Sequence, residues 1–295
     1  VTQPEKSRPR VLIVLPVHNR RGTTALFIDC LLAQTYADWH LLLIDDGSTD
    51  GTADMVRAKV PRLTVLRGTG HWWWGGALHQ GYLWLKRHPE HSDDLILIIN
   101  DDTEFAPDFL ELAVRATRPG SLLLAQLYDQ HGRLLEAGVR WNWADCSWVV
   151  AQQSEGGPNC FSTRGLFLRM RDFLRVGGFH PVLLPHYLSD YEFTMRAHRK
   201  GLALISSPEV RLCHYELSTE VRSQEALPVV QYIRANLSTK STSNPIYWTT
   251  FVLLACPWRY VPTNLRIVWW RFLAPIVTRF WIYQIARRVY RRARR

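Results

Sequence analysis

"WHLLLIDDGSTDGTADMVRAKV", residues 39–60, decides the fold. Leu41 to Ile44 are consecutively apolar, which suits a strand buried on both faces rather than one with a wet side. The run stops at Asp45 and Asp46, crosses a loop of Gly, Ser, Thr and Asp, all turn formers, and resumes as the helical segment "TADMVRAKV". The same order precedes it: the strand "RVLIVLPVHN" (10–19), then "TTALFIDCLLAQTY" (23–36) at helical spacing, with Thr23 or Thr24 as a cap. It follows again in the strand "LTVLRG" (63–68), the loop "GTGHWWWGGALHQG" (68–81), a helix through Trp84, and the strand "DLILIINDD" (94–102). Strands alternating with helices make a parallel sheet.

In such a sheet ligands bind beyond the carboxyl ends of the strands, where successive loops meet. The polar residues lie at those ends. Pro16, His18, Asn19, Asp45, Asp46, the Gly70–Gly81 loop and Asn100–Asp102 therefore line one crevice. Gly75 and Gly76 are read as loop glycines that let the backbone come close to a ligand. The three consecutive tryptophans, Trp72 to Trp74, cannot share one face.

The chain has 295 residues, 47% of them hydrophobic, enough for one large domain or a domain with an appendage. Its five cysteines are scattered and form no C-x-x-C pair, which argues against a disulfide framework or a zinc site and for a reducing, cytoplasmic setting. The polar start "VTQPEKSRPR" carries no apolar core of signal-peptide length. The net charge of +10 is localised: after Glu225 there are twelve Lys and Arg and no acid, so the preceding body is slightly acidic.

"VLPVHNR" (14–20), "LLLIDDGSTDGT" (41–52), "GGALHQG" (75–81), "IINDDTEF" (98–105) and "GGFHPVLLPHYLSDYEFTMRAHRKG" (177–201) resemble, in order, the motifs of the family 2 glycosyltransferases, over about residues 10–220. The resemblance implies the GT-A fold, a Rossmann-like, mostly parallel α/β sheet flanked by helices. It implies a catalytic domain over residues 1–225, with a nucleotide-sugar half at about 10–105 and an acceptor half at 106–225. It implies an inverting hexosyl- or deoxyhexosyltransferase, with Asp45 or Asp46 on the nucleobase and ribose, and Asp101 and Asp102 in the acidic metal motif. Asp102 is then the principal ligand of Mg2+ or Mn2+. His214, in "RLCHYELS" (211–218), is a second candidate for metal or phosphate, and Arg164 borders the donor sugar. Asp190 takes the place of the catalytic base, although the pair here is Ser189-Asp190 where the family usually has Glu-Asp, with Glu192 nearby. His79 stands where the family commonly has Asn. Trp74, His186 and Glu192 are expected on the acceptor side.

The chemistry asks for these residue types. A departing nucleoside diphosphate gathers negative charge that a hard divalent ion neutralises through carboxylate and phosphate oxygens. The attacking hydroxyl needs a base on the opposite face of the sugar. A nucleotidyltransferase of related fold would show a glycine-rich basic phosphate loop after the first strand, and "PVHNRRGTT" (16–24) is a poor version of one. A non-catalytic nucleotide or nucleic-acid binder would need no base.

The extension, residues 226–295, is read as helical and as lying on the inner face of the cell membrane without crossing it. "IYWTTFVLLAC" (246–256) stops at Pro257, short of the roughly twenty apolar residues a span needs. Arg266, Arg271, Pro275 and Arg279 interrupt the next run. Interleaved Trp and Tyr suit the headgroup boundary and Arg suits anionic lipid. That placement fits a lipid-linked glycan acceptor and no nucleic acid; helix packing or a homo-oligomer through the same face is the alternative.

Overall fold

The computed structural model describes residues 8–88, 93–151, 157–214 and 227–293. In chain order the elements are β1 (Val11–Val17), α1 (Arg21–Leu32), β2 (Trp39–Asp45), α2 (Thr52–Lys59), β3 (Leu63–Arg67), α3 (Trp73–Lys86) and β4 (Leu95–Ile98). Then come β5 (Thr103–Glu104), α4 (Phe109–Ala116), β6 (Ser121–Tyr128), β7 (Leu134–Glu136), β8 (Val139–Asn142), β9 (Ser147–Val150), β10 (Leu166–Arg169), α5 (Met170–Val176), α6 (Ser189–Arg199) and β11 (Ala203–His214). Three helices close the chain, α7 (Val229–Leu237), α8 (Pro245–Ala255) and α9 (Val261–Ala293).

Nine strands form one sheet in the order β3-β2-β1-β4-β10-β6-β11-β5, with β7 paired to β6; β8 and β9 form a hairpin of their own. The half read from sequence, β3-β2-β1-β4, is parallel throughout. The other half is mixed, because β10 runs antiparallel to both β4 and β6. Alternation along each strand feeds two cores. Val11, Ile13, Leu15 and Val17 of β1 pack with Phe27, Ile28 and Leu31 of α1 on one face. Leu12 and Val14 pack with Ala77 and Leu78 of α3 and Phe193 of α6 on the other. The consecutive apolar run is thus explained: both faces of the sheet are covered.

The glycine and tryptophan stretch differs from its reading as a loop. Gly75, Gly76 and Gly81 are helical residues of α3, because packing overrides the poor helix propensity of glycine. A Cβ on Gly81 would lie 2.9 Å from Ile44 Cδ1 and 3.2 Å from Val14 Cγ1, so its absence lets α3 sit directly on β1 and β2.

The chain divides into two compact units. The first comprises the sheet, with described residues 8–88, 93–141, 148–151 and 157–214. The second comprises residues 142–147 and, from 227 on, the three C-terminal helices. The expected boundary at residue 225 lies outside the described residues. In the second unit Asn244 caps α8, its side chain accepting from the amides of Ile246 and Tyr247, with Pro245 at the first helical position. A small core joins Val252 and Cys256 to Val268, with Trp143, Trp248, Tyr260 and Leu265 around it. Asn264 Nδ2 donates to the Trp143 carbonyl at 2.7 Å. The last run is one helix rather than two, continuing through Pro275. No helix among the described residues is long and apolar enough to cross a membrane. All five cysteines are free.

Candidate active site

The crevice begins where β1 and β2 end. Asn19 sits at φ 50°, a left-handed position that its short polar side chain tolerates, and from there ties the two loops together. Its amide donates to Ser48 Oγ at 2.9 Å, and its Oδ1 accepts from the Thr49 amide at 2.8 Å. His18 Nδ1 lies 2.6 Å from the Asp46 carbonyl, and Arg21 N donates to Asp50 Oδ2 at 2.9 Å.

Asp45 and Asp46, left as alternatives by the sequence, behave differently. Asp46 accepts from the amides of Gly70 (2.8 Å), Trp72 (2.8 Å) and Trp73 (3.1 Å), so both of its oxygens hold the loop that leads into α3. Gly47 permits that closeness: a Cβ there would be 2.7 Å from Gly70 N. Asp45 takes a single amide, that of Ser48, on Oδ1. Of the two, Asp45 is the one with acceptor capacity left for a ligand.

The same division recurs at Asp101 and Asp102. Asp101 is buried, accepts from Thr24 Oγ1 at 2.7 Å and pairs with Arg20 Nε at 2.8 Å. Burial pushes its pKa up while Arg20 and Thr24 pull it back. Asp102 has looser company, with Arg20 Nη2 at 3.8 Å and Arg164 Nη2 at 4.0 Å from its Oδ2. Its Oδ1 is shielded from solvent and has no hydrogen-bond partner among the described residues. A buried carboxylate oxygen with nothing to accept from fits a hard cation. His214 on β11 pairs in register with Thr103, the residue after Asp102, which brings the histidine strand alongside the acidic motif. Among the described residues no three His, Cys, Asp or Glu side chains converge on one point. The donor set is one carboxylate with a histidine strand beside it, suited to an ion whose other ligands are phosphate and water.

Asp190 enters from the other side, in the first turn of α6. The helix is pinned by Thr194, whose Oγ1 donates to the Phe161 carbonyl at 2.8 Å and accepts from the Phe161 amide at 3.0 Å. Three residues on from that anchor, Arg164 leads into β10. Burial raises the Asp190 pKa to about 6; the Tyr191 amide opposes the shift, Glu136 adds to it and Arg164 lowers it. Glu136, at the end of β7, is likewise pushed up by burial, with Ser162 and Arg164 opposing. Arg164 therefore bears on Asp102 and on the pair Asp190 and Glu136. Neither Arg20 nor Glu136 was singled out from the sequence. Arg20 lay inside a quoted motif, while Glu136 sits on a three-residue strand with no pattern to mark it.

Several candidates have other neighbours. Gly75 donates its amide to the Pro185 carbonyl at 2.8 Å, and a Cβ there would meet the Leu184 carbonyl at 2.5 Å. The close approach is made by the protein's own chain, and Gly76 faces Trp72 and Pro181. His79 packs against Gly178 and stacks on Tyr82 with ring centroids 5.9 Å apart; burial lowers its pKa, with His180 adding to the shift. Glu192 is buried and engaged by Arg196 through Nε (2.9 Å) and Nη2 (3.0 Å). Arg196 also donates to the carbonyls of Val176 and Gly178, so this pair secures the 177–178 turn. Trp74 Nε1 donates to Thr163 Oγ1 at 3.2 Å, beside Arg164, while Trp73 meets His186 with ring centroids 5.6 Å apart. Pro16, the penultimate residue of β1, is half-buried beneath the loops.

With this geometry in view, the profile of Glycosyl transferase family 2 matches residues 12–177, more than half of the chain. The chain belongs to glycosyltransferase family 2. The profile of Glycosyl transferase family group 2 matches residues 95–283. This family 2 chain is 26% identical over 253 residues to the O-antigen biosynthesis protein RfbC of Myxococcus xanthus, a match that covers 79% of the chain and 19% of that relative. The chain thus spans about a fifth of the length of that curated relative. Among solved structures, the mannosyltransferase PcManGT of Pyrobaculum calidifontis, in complex with GDP-Man and Mn2+, has a TM-score of 0.53 at 16% identity, covering 94% of this chain and 88% of its own. GalNAc-T7, with UDP, GalNAc and Mn2+, has a TM-score of 0.59 at 14% identity, covering 93% and 57%. At these identities the likeness establishes the GT-A fold, in agreement with the mixed sheet described above.

Proposed function

We propose that this protein transfers a hexosyl or deoxyhexosyl group, with inversion, from a nucleoside-diphosphate donor to a hydroxyl of a glycan acceptor in cell-surface polysaccharide assembly. The reading rests on an unpartnered Asp102 oxygen and an Asp190 carboxylate with a pKa of about 6, both under the influence of Arg164. The strand-end loops gathered by Asn19 and Asp46 hold the nucleotide, with Asp45 toward the base and ribose. Asp102, with His214 beside it, holds Mg2+ or Mn2+, which when bound supplies charge neutralisation for the departing diphosphate. Arg164 adds a fixed cation at the donor sugar. Asp190 accepts the proton of the attacking hydroxyl, and its raised pKa makes it a stronger base than an ordinary carboxylate while leaving it ionised at neutral pH. Attack from the Asp190 side, opposite the diphosphate, gives inversion. The RfbC relative supports a polysaccharide setting, and the Mn2+ in both structural neighbours supports the cation.

The acceptor is read as lipid-linked because of the second unit. On α9, Asn264, Val268 and Phe272 face inward, while Trp270, Leu273, Val277 and Trp281 lie on the opposite face and are 71%, 45%, 53% and 59% exposed. An apolar face of this size on a helix rich in Arg fits the headgroup boundary of an anionic inner leaflet. Flotation with liposomes of increasing anionic content is expected to carry the protein upward and to lose it when residues 257–295 are deleted. A full-length protein that stays at the bottom at every composition would refute the membrane assignment.

Release of nucleoside diphosphate from a panel of UDP-, GDP- and dTDP-sugars, with Mn2+ and with octyl glycosides as acceptors, tests the transferase itself. Acceptor-stimulated release from one donor class is expected. Release of pyrophosphate from sugar phosphate and nucleoside triphosphate instead would show a nucleotidyltransferase. Product NMR should show an inverted anomeric centre.

A further inference from the structure

We infer that Glu136 is an acceptor-recognition residue, its carboxylate accepting a hydrogen bond from the sugar hydroxyl next to the one that Asp190 deprotonates. The inference rests on the reading of Asp190 as base and adds a second group to it. Glu136 closes β7, a strand paired only with β6. The turn that follows is fixed: Gly138 has φ 107°, and a Cβ on it would lie 2.7 Å from both Phe161 Cε1 and Pro158 Cβ. Phe161 is in turn locked to Thr194 of α6 by two hydrogen bonds. One short chain of packing therefore sets Glu136 and Asp190 relative to each other.

The carboxylate is spent only in part on that scaffold, through hydrogen bonds from Ser162. Its Oε1 is shielded from solvent and has no hydrogen-bond partner among the described residues. A structural glutamate in this fold looks different: Glu192 gives both oxygens to Arg196. Leaving a buried acceptor unpaired is costly, and the cost is recovered if a ligand brings the donor. A sugar with neighbouring hydroxyls is such a donor, since one hydroxyl can face each carboxylate. The acceptor rather than the donor is indicated by Arg164. Its guanidinium contacts Asp102 at 4.0 Å and is felt by Glu136 and Asp190, whereas Glu136 bears on Asp190, the group read as base.

The test uses water as a second acceptor, because water has no neighbouring hydroxyl for Glu136 to hold. Full-length wild type, Glu136→Gln and Asp190→Asn are compared in donor hydrolysis and in transfer to octyl glycosides. Glu136→Gln is expected to raise the KM for the octyl glycoside and to lower the ratio of transfer to hydrolysis about tenfold, the discrimination lost when a site's hydrogen bond to a substrate hydroxyl is weakened by about 1.4 kcal/mol. Asp190→Asn is expected to lower both reactions together. An unchanged ratio and KM in Glu136→Gln, in a protein whose melting temperature matches wild type, would overturn the role of Glu136. Full turnover in Asp190→Asn would overturn the base instead. Glu136→Asp, which keeps the charge but shortens the reach, should recover part of the ratio; no recovery together with a lowered melting temperature in both variants would mark Glu136 as structural.

Discussion

The two sides of the crevice use acids in opposite ways. At the ends of β1, β2 and β4, Asp46, Asp50 and Asp101 are tied to amides, hydroxyls and Arg20, and their work is to hold three strand ends together. At α6 and β7, Asp190 and Glu136 have fewer donors; burial raises their pKa values, as it also raises that of Asp101. Asp102 sits at the end of β4, yet its Oδ1, like Glu136 Oε1, is shielded and has no hydrogen-bond partner among the described residues. Acids that build a site are saturated with donors; acids that act in it keep capacity in reserve.

That contrast is sharpest at Asp190. Asp190→Asn should cut transfer by about two to four orders of magnitude, the range for losing a general base, with donor affinity preserved. Steady-state rates with saturating donor check it, and near wild-type turnover would place the base elsewhere. Next in size is Asp102→Ala, which should lower divalent-dependent donor affinity by at least the 10–100-fold typical of damage to a metal site. The pH profile follows. Because Asp190 must be ionised to act and burial holds its pKa at about 6, kcat/KM should level off above that pH and fall about tenfold per unit below it. A flat profile down to pH 5 would mean the carboxylate is better solvated than its surroundings indicate. The smallest effect on chemistry per bound donor, but a clear one on folding, is expected of Asp46→Ala. Three partly buried amides lose their acceptor, so stability should drop by about 1–3 kcal/mol in urea denaturation. A variant as stable as wild type would show that the 68–73 loop does not depend on this clamp.

Much of the β1 to β4 half was legible in the sequence because its strands are long apolar runs that end in loops rich in Asp, Gly and Asn. Such runs, alternating with helices, fix the parallel pairing of β1 to β4 but not their order. Which acid of each pair is free was not legible. Asp46 is saturated by residues 70–73 and Asp101 by Arg20 and Thr24, partners that only the folded chain brings near. Gly75 and Gly76 read as a loop because glycine is a poor helix former, yet both lie in α3, where Gly75 packs against Leu184 and Pro185 and Gly76 against Trp72 and Pro181. The reversal of β10 inside the sheet and the arrival of Glu136 on a three-residue strand left no periodic trace. Asp190 stands out through its motif, but its raised pKa comes from burial, to which Glu136 adds and which Arg164 opposes, and only the folded chain shows this.

The division of labour between the two sides is tested most directly by calorimetric titration of UDP and GDP, with Mn2+, into wild type, Asp102→Ala and Asp190→Asn. The account predicts that whichever nucleotide binds wild type binds Asp190→Asn with the same affinity and loses its Mn2+-dependent affinity for Asp102→Ala. Equal loss in both variants, or undiminished Mn2+-dependent binding to Asp102→Ala, would contradict it.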